Sequence, residues 1–90
     1  MDEKALLGHL EKLAHDLGIH VRYESLKGES AFQRGGLCRL KGRSYIIIEE
    51  RADTGQKVET LARALKRFDL SRIYVKPGIR DFLEGSGKES

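Results

Sequence analysis

Leu37-Cys38-Arg39-Leu40-Lys41-Gly42-Arg43-Ser44-Tyr45-Ile46-Ile47-Ile48-Glu49 is the stretch on which the fold turns. Two runs rich in aliphatic and aromatic residues flank Lys41-Gly42-Arg43, and Gly42 is free to take the positive φ that a tight hairpin turn needs. The expectation is a hairpin of residues 37–40 with residues 44–49, pairing Leu40 with Ser44 and Cys38 with Ile46. Side chains alternate across a strand. This register therefore puts Cys38, Leu40, Ile46 and Ile48 on one face and Leu37, Arg39, Tyr45 and Ile47 on the other. The second face is then only half polar. Either another element partly covers it, or it presents a mixed aromatic, aliphatic and cationic patch.

On the N-terminal side, residues 25–36 hold no sustained period and three glycines, which reads as a long loop with Leu26 and Phe32 as anchors. Before it, Ile19, Val21 and Tyr23 alternate with His20, Arg22 and Glu24, the period of a strand with one wet face. Leu6, Leu10, Leu13 and Leu17 recur every three or four residues. They predict a helix from Asp2 to Leu17 that starts on an aspartate cap and stops at Gly18.

On the C-terminal side, Asp53 and Gln56 read as a capping box for a helix whose stripe is Val58, Leu61, Ala62, Leu65 and Phe68. Ile73-Tyr74-Val75 reads as a short extended segment. Pro77 suits the first position of a last short helix that buries Ile79, Phe82 and Leu83 before Gly85. The fold class expected is α+β: an N-terminal helix, a three-stranded, mainly antiparallel sheet with a hairpin, a second long amphipathic helix and a short C-terminal helix. Residues 1–84 form one domain in this reading, and residues 85–90 a disordered tail.

Ninety residues, 39% of them hydrophobic, suffice for one core. The chain opens on acidic Met-Asp-Glu-Lys, unlike a basic secretory leader, and its longest wholly apolar run is Tyr45-Ile46-Ile47-Ile48. The expectation is a cytosolic protein with no membrane segment. The lone Cys38 fits a reducing compartment and reads as a small core residue. Charge is uneven: residues 34–80 carry twelve Lys/Arg against five Asp/Glu, whereas acids outnumber bases in residues 1–33 and 81–90. That pattern suits an anionic partner, or a solvated surface that pairs with the chain's own ends.

The order of helix, Gly18, strand, glycine-rich loop, hairpin and a helix reading Thr60-Leu61-Ala62-Arg63-Ala64-Leu65-Lys66-Arg67 resembles the minimal core of the ImmA/IrrE group of zinc metallopeptidases, over roughly residues 3–70. In that group Thr-Leu-Ala continues into His-Glu-x-x-His, in which two histidines four apart bind zinc and the glutamate activates its water. Here the corresponding positions are Arg63, Ala64 and Arg67. An arginine has no lone pair for a metal and stays charged. The resemblance thus implies a degenerate zincin-like scaffold without metal, cofactor or catalysis. Residues 36–43 are also similar to a pattern in small bacterial proteins of no assigned activity.

No other chemistry assembles from the residues. His9 and His15 are six apart on one helix and point in different directions. His20 reads as a surface histidine, and there is no Cys-x-x-Cys pair, Walker loop or nucleophile elbow. The function expected is a non-catalytic protein-interaction domain, with protein partners or self-association through Leu37, Arg39, Tyr45, Ile47, Phe32 and Arg34. The alternative is nucleic-acid or other polyanion binding through Lys41, Arg43, Arg63, Lys66 and Arg67, with Tyr45 as a stacking surface.

Overall fold

Two aspartates set where the long helices begin. In the computed structural model, which describes residues 2–25 and 36–86, Asp2 Oδ1 accepts from the amide of Ala5 at 2.7 Å and Asp53 Oδ1 from that of Gln56 at 2.8 Å. Each satisfies an amide that the first turn leaves unpaired. The elements in order are α1 (Glu3–Asp16), β1 (His20–Glu24), β2 (Gly36–Leu40), β3 (Arg43–Glu49), α2 (Thr54–Leu65) and α3 (Pro77–Ser86). The chain is an α+β protein.

Gly18 closes α1 at φ 78°. Its amide bonds the His15 carbonyl at 2.9 Å, and the amide of Ile19 bonds that of Ala14, also at 2.9 Å. This pair of bonds is a Schellman closure, which folds Ile19 back into the core and leads directly into β1. The core then forms between the apolar stripes of the helices and one sheet face. Leu10, Ile46, Ile48, Leu61 and Leu65 are its largest fully buried side chains, with Val75, Ile79 and Leu83 closing it from the α3 side.

The sheet order is β1-β3-β2, with β1 parallel and β2 antiparallel to the central β3. The sheet is therefore mixed rather than mainly antiparallel. The Ile46-Ile47-Ile48 run suits this position, because a strand bonded on both sides tolerates apolar residues on both faces.

The hairpin register also differs from the sequence expectation. Leu40 pairs with Arg43, Arg39 with Ser44, Cys38 with Tyr45 and Leu37 with Ile46. The turn is the two residues Lys41 (φ 52°) and Gly42 (φ 81°), both left-handed, as a type I′ turn requires. Lys41 is the only non-glycine residue at positive φ among the described residues. A lysine in that place gives little notice of such a turn, since Asn or Asp is usual there. One residue of slip exchanges the two faces. Leu37 packs against the core, whereas Cys38 is only half-buried on the opposite face and Leu40 is 52% exposed.

Toward the C-terminus, Ile73–Val75 joins no strand among the described residues, although Val75 is buried. Helix α3 does not stop before Gly85 but runs on to Ser86.

Candidate functional site

Helices α1 and α2 cover the same face of the sheet, side by side and parallel. Both start at the end where β1 and β3 finish: α2 follows Glu49 after four residues, and a Cβ on Gly55 in its first turn would come within 2.9 Å of Glu3 Oε2. Both helices end where β1 and β3 begin, beside the Lys41-Gly42 turn. The fold thereby gathers cations at one end, with the acidic Asp16 and Asp69 among them. At the hairpin end stand Arg39, Lys41 and Arg43, together with Arg63, Lys66, Arg67 and Arg72 at and beyond the close of α2, all exposed. At the other end stand Asp2, Glu3, Glu24, Glu49, Glu50 and Asp53, together with Lys4 and Arg51. Cations at helix C-termini and acids at N-termini also complement the helix dipoles.

No described element packs on the second face of the sheet, although Ile47 at its centre is only 7% exposed. Across it, strand by strand, lie His20, Arg22 and Glu24 of β1, Arg43, Tyr45, Ile47 and Glu49 of β3, and Cys38 and Leu40 of β2. His20 and Tyr45 are register partners, and their rings stack with centroids 5.2 Å apart. Arg22 Nε lies 2.8 Å from Glu24 Oε2. Arg43 and Tyr45 sit two residues apart on the central strand, beside this stack. With Glu11 and His15 of α1 they line an open recess of about 510 Å³ that wraps round the outer edge of β1.

The proposed partner patch is divided by the register. Tyr45, half-buried, and Ile47, buried, lie on the second face, while Leu37 and Arg39 lie on the helix-covered side, opposite Ile46 and Ser44. Phe32 and Arg34 fall outside the described residues, as does the anchor residue Leu26. Of the anion-binding candidates, Lys41 and Arg43 share the hairpin end with Lys66 and Arg67, and Arg63 reaches toward Glu59 at 3.6 Å with both side chains 74% exposed. Sequence reasoning missed His20 and Arg22 as neighbours of Tyr45. Their alternation was visible, but the parallel pairing that sets His20 beside Tyr45 was not.

At the positions where the resemblance would place a metal site, Arg63 and Arg67 are exposed and Ala64 is buried in the core. Among the described residues no group of three or more His, Cys, Asp or Glu is arranged to hold a metal ion, and no helix is long and apolar enough to cross a membrane. A second concavity lies between α1 and residues 74–79. At about 100 Å³ it is well below the size of a small-molecule pocket, and Lys12 at its rim pairs with Asp16 at 3.1 Å.

One tyrosine is tied to the helices instead. The Tyr23 hydroxyl donates to the Glu11 carboxylate, and Lys57 Nζ stands 5.4 Å from the ring centroid. Burial, then the hydrogen bond to Glu11, then the charge of Glu11 raise the Tyr23 pKa well above its ordinary value. Tyr23 is thus a clasp between β1, α1 and α2, on the face away from His20 and Tyr45.

Compared with protein-family models, curated proteins and solved structures, the chain matches none.

Proposed function

We propose that this domain binds single-stranded nucleic acid across the hairpin end and the open sheet face. The observation that carries the reading is the placement of Arg43 beside the stacked His20 and Tyr45, next to the turn that holds Lys41 and at the same end of the fold as Lys66 and Arg67. Single strands are held by cations that follow the phosphates and by flat side chains on which bases stack. Both components meet where Arg43 adjoins Tyr45 on β3, at the edge of the helix-bearing end that holds the other cations. A protein partner, the first expectation from the sequence, has less support, because Leu37 and Arg39 lie on one face and Tyr45 and Ile47 on the other. The reading is of a binding domain without a catalytic centre: Arg63 and Arg67 cannot donate to a metal, and the methyl of Ala64 cannot activate water.

Fluorescence anisotropy with a labelled single strand of about 12 nucleotides, within the usual range of site sizes, tests this. Contacts from Lys41, Arg43, Lys66 and Arg67 to four phosphates give a slope of log K against log salt of about −2.8, from roughly −0.7 per phosphate. Arg43→Glu should make that slope shallower by about 0.7 or more. Tyr45→Ala should weaken binding by about 1–3 kcal/mol, with a slope close to that of the wild type. Binding that is absent, insensitive to salt, or unchanged in both variants would reject the reading.

A further inference from the structure

Among the described residues strand β1 is bonded on one side only, and the recess described above runs round its other edge, between Glu11 and His15 on one side and His20 and Arg22 on the other. The backbone phase of the edge follows from one hydrogen bond. The amide of Glu50 donates to the Glu24 carbonyl at 3.0 Å, and Glu24 is the register partner of Glu49. Glu24 therefore turns its backbone groups toward β3. In a parallel pair such residues alternate with those that turn away. His20 and Arg22 share the phase of Glu24, and Val21 and Tyr23 offer their N–H and C=O groups to the free edge.

We infer that β1 is a self-pairing edge, on which a second copy of the chain adds its own β1 antiparallel to form a continuous six-stranded sheet about a two-fold axis through Arg22. Antiparallel pairing about Arg22 sets Val21 against Tyr23 of the second copy. These are the residues whose backbone groups are free, so each such pair closes two main-chain hydrogen bonds. The same register sets His20 against Glu24 of the second copy on the second face, where an imidazole N–H can donate to the carboxylate. On the helix side, Val21 covers part of the Tyr23 ring, which is 37% exposed in the single chain. The two Arg22 side chains meet at the axis, and each is already neutralised by its own Glu24 at 2.8 Å.

Charge complementarity selects the second copy as occupant, because the reversed strand sets each Arg22 diagonally beside Glu24 of the other copy, so that the two guanidiniums at the axis lie between two carboxylates. The same register on β2 would oppose Cys38 to Cys38 and Leu37 to Arg39, with no such matching. An interface of one strand pair is small, which places it among transient associations. The inference shares His20 with the proposed nucleic-acid site but rests on the main-chain edge of β1, and sedimentation without nucleic acid tests it separately.

Sedimentation of the full chain from about 1 μM to about 1 mM, spanning weak affinities, should show the mass rising from 10.2 kDa toward twice that value. Glu24→Lys should suppress the rise, and combining it with His20→Glu should restore it, with circular dichroism confirming that each variant is folded. A geometric test uses Arg22→Cys in a Cys38→Ser background. The central pair has no hydrogen bonds between its own residues, and its Cα atoms would stand about 4.5 Å apart, within disulfide range. Under mild oxidation this variant should form a covalent dimer about tenfold faster than a Lys41→Cys variant in the same background, given that thiol exchange depends on access and alignment. A mass that stays monomeric across the range, cross-linking no faster than the Lys41→Cys control, or association unaffected by Glu24→Lys would overturn the inference.

Discussion

Gly42→Ala and Lys41→Asn should move stability in opposite directions, and together they test the hairpin register on which the composition of both sheet faces depends. Gly42 has φ 81°, and a Cβ added there meets nothing within 4 Å, so the cost of alanine is conformational rather than steric contact with neighbours. A left-handed L-residue costs about 1–2 kcal/mol, offset by about 0.4–1 kcal/mol from a less flexible unfolded chain. The net loss should be about 0.5–1.5 kcal/mol, or roughly 2–12 °C in Tm for a domain of this size. Lys41 already pays the left-handed cost at φ 52°. Asparagine reduces that cost through local hydrogen bonding, so Lys41→Asn should gain about 0.5–1 kcal/mol and raise Tm by roughly 2–8 °C. The assay is thermal unfolding followed by far-ultraviolet circular dichroism, with urea m-values checked for constancy. In the three-residue turn expected from the sequence, Lys41 would be right-handed and Lys41→Asn would gain nothing. A neutral or destabilising Lys41→Asn would refute the two-residue turn, and with it the placement of Cys38, Tyr45 and Ile47 on one face.

Two further outcomes follow from the core and from Tyr23. Leu61 is fully buried where α2 meets the core, so Leu61→Ala should cost about 2–5 kcal/mol, a large part of the roughly 5–13 kcal/mol expected for ninety residues. A loss below about 1 kcal/mol in urea unfolding would show that the site collapses around the deletion. For Tyr23, the phenolate absorbance difference between wild type and Tyr23→Phe should show titration above the ordinary tyrosine range, and Glu11→Gln should lower it only in part because burial remains. The sign for stability is set by proton count: above about pH 10 the unfolded chain releases the Tyr23 proton while the folded chain keeps it, so stability falls as pH rises through that region. A Tyr23 titrating at the ordinary value would remove the clasp.

Helices α1 and α2 were legible because their signals are local. A leucine every three or four residues, an aspartate cap and Gly18 all act within one or two turns. The hairpin was legible for the same reason, but its register was not, because the signal of a type I′ turn was carried by a lysine in a conformation that lysine rarely adopts. Sheet order was hidden altogether. Nothing within Ile19–Glu24 says that this strand docks parallel to β3, and only that docking brings His20 onto Tyr45. The cationic residues of the candidate site were readable one by one. Their common location was not, because residues 39–43 and 63–72 are brought to one end by α2 running back along the sheet. Cys38 illustrates the cost of a slip: a residue read as core lies on the open face for want of one position in the turn.

The excess of cations at the hairpin end gives the molecule a preferred heading. In the field of an extended anion it experiences a torque before contact, so it arrives turn-first, with Lys41 leading and the acidic helix starts trailing. Orientation during approach of this kind speeds association at low ionic strength and fades as salt shortens the reach of the field.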